Sequence, residues 1–110
     1  MPLHVSRHSD VVIVEIEGQL IVSNRQELKQ RVLDEAETGA RKILVDFART
    51  GYIDSAGLGV LVSLAKRLRE LGGDIRLANL NDDLHTLFEL TKLDTLFQIA
   101  DSRERALETF

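Results

Sequence analysis

An α/β fold, a single mixed β-sheet with helices packed mostly on one face in the order ββαβαβαβα, is what this sequence predicts. Three observations carry the prediction. Apolar runs rich in β-branched residues recur at 11–17, 41–47 and 74–78, each of strand length and bounded by turn residues. Between them, apolar residues return every three or four positions, the period of a helix that buries one side. Strand, helix and strand in that succession imply parallel neighbours joined by right-handed crossovers.

Leu3 and Val5 alternate with His4 and Ser6, an edge strand that ends at a turn around Ser9-Asp10. Val11 to Glu17 comes so soon after it that the two should form an antiparallel hairpin, with Gly18 as its stop. Gln19-Leu20-Ile21-Val22 reads as an apolar connector. Ser23 with Gln26, or Asn24 with Glu27, offers a capping box for a helix whose stripe Leu28, Val32, Ala36 ends at Gly39. Arg41 to Phe47 is apolar on both faces, as a central strand should be. Tyr52 to Val60 is a strand-to-helix junction. Its helix places Leu58, Leu61, Leu64, Ala65 and Leu68 on one face, keeps Lys66, Arg67, Arg69 and Glu70 off it, and stops at Gly72-Gly73. Asp74 to Ala78 is the next strand. Asn81 or Asp82 caps a third helix with Leu84, Leu87 and Phe88 inside. Phe97-Gln98-Ile99 is a last short strand, and Asp101 with Glu104 begins a final helix through Ala106 and Leu107.

At 110 residues the chain is expected to form one domain, 1–110. Its formal charge is -4, and residues 1–73 hold ten acidic and ten basic side chains, so the excess acid lies wholly between Asp74 and Phe110. No basic stripe recommends nucleic acid as a partner. With no cysteine, disulfides, thiolate metal sites and cysteine nucleophiles are excluded. No apolar leader opens the chain, and Ala56–Ala65 is too short to span a bilayer. A cytoplasmic protein without membrane insertion, monomeric or weakly dimeric, is expected.

The chemistry to explain lies in Asp54-Ser55-Ala56-Gly57-Leu58-Gly59. Asp54 or Ser55 can cap the free N–H groups of a first helical turn. That bland role leaves Gly57 and Gly59 unexplained, since each costs about 1 kcal/mol relative to Ala inside a helix. As a hydrolase nucleophile Ser55 is poor, because Ile53 occupies the first glycine position of a G-x-S-x-G elbow. His4, His8 and His85 fall on an edge strand, its turn and a surface helix, where a triad partner is not expected. Gly57-x-Gly59 lacks the third glycine of a dinucleotide fingerprint, and no phosphate-binding G-x-x-x-x-G-K-[ST] occurs. Asp46 sits where a receiver domain keeps its acceptor, but Asp10, Glu15 and Glu17 do not form the acidic pair such a domain needs. Asp82, Asp83, Glu89 and Asp94 are spaced as a solvated helix face rather than a metal site. No catalytic residue, metal or cofactor is therefore expected. As a phosphate acceptor Ser55 is better placed, at the positive end of a helix. Leu20-Ile21-Val22 and Tyr52-Ile53 either plug the end of the core or, where exposed beside Ser55, form a docking patch.

With Val45-Asp46-Phe47 and Tyr52-Ile53 before it, the D-S-x-G-L-G junction resembles that of the STAS-domain anti-sigma-factor antagonists of bacteria. The likeness extends over nearly the whole chain, through Glu17-Gly18, Gly72-Gly73 and Leu93…Leu96-Phe97. It implies a mixed sheet with helices mostly on one side and a role without catalysis. The resemblance further implies that the unmodified protein binds an anti-sigma factor that is also a serine kinase, which frees the sigma factor. Phosphorylation of Ser55 from ATP breaks that complex, and a metal-dependent serine/threonine phosphatase restores it. The implied partner surface comprises Ile21, Val22, Tyr52, Asp54, Ser55, Ala56, Gly57, Leu58 and Gly59. Ile21 stands where many relatives carry an acidic residue, and Lys92 where a glycine is common. Ala56 replaces the second hydroxyl residue of some, leaving Ser55 the one acceptor in the motif. The alternative keeps the fold without the switch: an adaptor subunit of a lipid-transport ATPase or a sensory assembly.

Overall fold

The computed structural model describes residues 2–110. β1 (Leu3–His8) and β2 (Val11–Ile16) form the expected antiparallel hairpin, with Val5 opposite Val14. β2 pairs in parallel with β4 (Lys42–Asp46), β4 with β6 (Asp74–Ala78), and β6 with β7 (Gln98–Ala100). The mixed five-stranded sheet thus runs β1-β2-β4-β6-β7.

Strand alternation sorts the apolar residues onto two faces. Val12, Val14, Ile16, Ile43, Val45, Ile75 and Leu77 share one core with α1 (Arg25–Glu37), α2 (Ser55–Glu70) and α3 (Asp82–Leu90). Val11, Ile13, Leu44 and Ala78 face the other way, against Ala106, Leu107 and Phe110 in and after α4 (Arg103–Glu108). Three helices cover one face and one short helix the other. α4 is anchored by charge. Asp46 is 2% exposed, and its Oδ2 accepts from Arg103 Nε at 2.8 Å, while Oδ1 accepts from Ala48 N and Asn79 Nδ2. Its oxygens are thus engaged within the fold, which leaves no open carboxylate of the kind a receiver presents.

The stop after α2 depends on close packing. A Cβ at Gly73 would lie 2.1 Å from the Arg41 carbonyl oxygen, and the amide of Asp74 bonds that same oxygen at 2.8 Å. Only a residue without a side chain lets β6 begin there.

Three local expectations need correction. The connector Gln19–Val22 is partly a strand: β3 (Gly18–Leu20) pairs in parallel with β5 (Thr50–Ile53) in a separate two-stranded sheet. The capping-box bond expected of Asn24 at α1 is not made, because its carboxamide turns back, accepting from Ile21 N and donating to the Gln19 carbonyl. The cap of α4 is Ser102 rather than Asp101, its hydroxyl accepting from Arg105 N at 3.1 Å.

Candidate functional site

Two parallel strands end side by side at the site. Because Leu20 lies opposite Ile53, the residues that come after them, Ile21-Val22 and Asp54-Ser55, emerge together. Leu20 and Ile53 are both fully buried, so they do plug the end of the core. Their neighbours reach the surface: Val22, just past β3, is 63% exposed, and Tyr52 on β5 is 56% exposed.

Asp54 is the N-cap of α2. Its Oδ1 accepts from Gly57 N at 2.8 Å, and its Oδ2 accepts from Val22 N at 3.0 Å. Its own amide donates to the Leu20 carbonyl at 3.1 Å. The carboxyl is held below its ordinary value chiefly by the hydrogen bond from the Gly57 amide. The Val22 and Ala56 amides and the charge of Arg25 add to this, against a smaller opposing effect of burial. The group is therefore an anion at neutral pH.

Ser55 is the first residue of α2 and is exposed. The two glycines of this first stretch of helix do opposite things. A Cβ on Gly57 would sit 2.5 Å from the Leu20 carbonyl oxygen and 2.8 Å from Ile53 Cγ2, so Gly57 makes room for this chain's own backbone. Gly59 is exposed, and a Cβ there would meet nothing within 4 Å, which leaves the helix surface one turn beyond Ser55 bare.

Of the residues expected at a partner surface, Val22, Tyr52, Ser55 and Gly59 are exposed, and Ile21, Asp54 and Ala56 are half-buried. Gly57 and Leu58 are buried in the chain's own core and serve it. Sequence reasoning missed Arg25, and it read Asn24 as a helix cap when its carboxamide braces the loop after β3. Arg25 is a cation at the positive end of α1, a disfavoured placement that was the available signal. His4 Nε2 lies 2.9 Å from Glu17 Oε2 at the surface. Among the described residues no side chain hydrogen-bonds the Ser55 hydroxyl, and none of their clusters of His, Asp or Glu could hold a metal ion. Among them, too, no helix is long and apolar enough to cross a membrane.

Residues 3–106 match the family model of the STAS domain. The chain is 30% identical to the anti-sigma-B factor antagonist of Bacillus subtilis over 104 residues, 94% of each chain. The crystal structure of TM1081 of Thermotoga maritima superposes with a TM-score of 0.92 at 30% identity, covering 97% of this chain and 92% of that one. SpoIIAA of Bacillus in its phosphorylated form has a TM-score of 0.77 at 18% identity, covering 98% of each chain, a likeness of fold.

Proposed function

Since the chain belongs to the STAS-domain family of anti-sigma-factor antagonists, regulators rather than enzymes, we propose that it is a phosphorylation-controlled antagonist with Ser55 as the switch. Its unmodified form binds an anti-sigma factor that is also a serine kinase and so releases the sigma factor. The contact runs over Val22, Tyr52, Ser55, Ala56 and Gly59, with Ile21 and Asp54 at its margin. The observation that carries this reading is the exposure of Ser55 together with that of Val22, whose amide is held by the neighbouring Asp54, and of Tyr52, three residues before Ser55 in the chain. That a phosphorylated form of SpoIIAA exists on the same fold supports it.

In the switching step the Ser55 Oγ attacks the γ-phosphorus of ATP. The bond from that phosphorus to the bridging oxygen breaks, ADP leaves, and the hydroxyl proton passes to a base on the kinase. A metal-dependent serine/threonine phosphatase reverses the modification with water, giving back the alcohol and inorganic phosphate. The added group carries about 1.5 to 2 negative charges. A charge buried in an interface without a partner costs about 3–5 kcal/mol, or two to nearly four decades in affinity. That is enough to dissolve a tight complex with no change of fold.

The test pairs two variants. Ser55→Ala should bind the anti-sigma factor yet never be released by ATP, and label appearing elsewhere in that variant would overturn the site. Ser55→Asp should weaken binding at least about tenfold by calorimetry; unchanged affinity would count against the charge argument.

A further inference from the structure

Asp54 does two jobs with one carboxylate. Oδ1 caps the helix through Gly57, and Oδ2 reaches 32 residues back to hold the amide of Val22. The second bond is not needed for capping. It ties the loop after β3 to the head of α2, so that Val22 keeps a fixed place beside Ser55.

We infer that Asp54 is a positioning residue whose hold on Val22 is released when Ser55 carries a phosphate. The inference rests on the reading that Ser55 is the modified residue and adds what the modification does to the surface around it. A phosphate at the first residue of a helix seeks the N–H groups of that first turn. Of the donors there, Gly57 N already serves Asp54, and the Ala56 N–H also favours its charge. Two anions on adjacent residues then compete for one positive end. Both groups are anionic at neutral pH, a carboxyl titrating ordinarily at about 4 and a phosphate carrying about 1.5 to 2 negative charges, so no proton relieves the competition.

Displacement of the carboxylate has a defined local result. The bond to Val22 N lies at the surface and depends on the carboxylate staying in place, whereas Gly57 N is part-buried in the first turn, where either anion can accept from it. The neighbouring loop has its own supports: Ile21 N donates to Asn24 Oδ1 at 2.9 Å, and the Ile21 carbonyl accepts from Asn24 N and Arg25 N. Ile21 therefore stays in place while Val22 is freed. Modification thus removes an ordered apolar contact from the docking patch as well as adding charge to it.

The experiment uses the isotope-labelled full chain with phosphoserine installed at position 55 during translation, and reads amide solvent exchange by NMR. Val22 should exchange several-fold faster than in the unmodified chain, with Ile21 and Gly57 unchanged. Equal exchange at Val22 in the two forms overturns the inference. Asp54→Asn offers one acceptor oxygen to two amides, so Gly57 should stay protected while Val22 exchanges fast without any phosphate. Phosphoserine added to that variant should change Val22 no further. Slow exchange at Val22 in Asp54→Asn also overturns the inference, since another group would then hold the loop. Neither kinase nor partner enters these measurements. A chain that never carries phosphate on Ser55 in cells would instead overturn the parent reading and leave the exchange results standing.

Discussion

Two helices of this protein start in the same way and are used differently. Asp54 caps α2 by accepting from Gly57 N at 2.8 Å, and Asn81 caps α3 by accepting from Leu84 N at 2.8 Å. Each also reaches across the fold with its other polar atom, Asp54 to Val22 N and Asn81 to the Thr50 carbonyl. The difference lies in the residues after the cap. α3 opens with Asp82 and Asp83, which already occupy its positive end. α2 opens with Ser55, Ala56 and Gly57 and has no acid in its first turn. A capped helix start is common structure. On the proposed function, it becomes a place for a regulatory anion when its first turn is small, uncharged and open.

The largest expected effect separates the two glycines of α2. Gly57→Val should destabilise the protein by about 1–3 kcal/mol or more in denaturant unfolding, because the new side chain meets the Leu20 backbone and no flexible group can yield. Gly59→Ala should stabilise it by about 0.4–1 kcal/mol, since open space receives the methyl group. A similar loss at both positions would erase the distinction between an inward and an outward glycine.

Next come the caps. Asn81→Ala should cost about 1 kcal/mol, equally across acid and neutral pH, since the carboxamide does not titrate. Asp54 should behave differently. Its carboxyl is depressed in the folded state, so its contribution is complete above the unfolded value of 3.8 and fades as the pH falls through the lower folded value. Unfolding curves of wild type and Asp54→Asn should therefore converge in acid, draw apart as the pH rises from the folded value towards 3.8, and keep a constant separation above it. A pH-independent difference would show that hydrogen bonding, not charge, sets the α2 cap apart. The smallest effect is at the head of α3, where Asp82→Asn should cost about 0.3–1 kcal/mol at low salt and less as salt screens it.

The legible and illegible parts of the sequence divide along chain distance. β4, β6 and the long stripe of α2 could be read because each is specified by its own consecutive residues, and Gly72-Gly73 marks the stop. β3 and β5 could not, since three and four residues around Gly18 and Gly51 show no alternation until each has the other to pair with. The same gap hid the role of Gly57. Its missing side chain answers to the carbonyl of Leu20, a residue no local pattern places nearby. Asp54 and Ser55 were visible as a cap and an open alcohol, while the reach of Asp54 to Val22 joins positions whose proximity only the fold creates. Asn24 looked like half of a capping box and instead braces its own loop, a competition between local partners that composition cannot decide.

The unequal covers of the sheet set the sequence in which the molecule comes apart. One side is roofed by three helices, the other by six residues held by the apolar contacts of Ala106 and Leu107 and by Arg103 on Asp46, with Arg76 against Thr109 and Phe110 just beyond them. Local opening on warming should begin at that thin roof, so an isotope label on Phe110 would register melting before one on Tyr52. Damage to α4 would then shorten the protein's lifetime while leaving the surface around Ser55 intact until the rest of the sheet gives way.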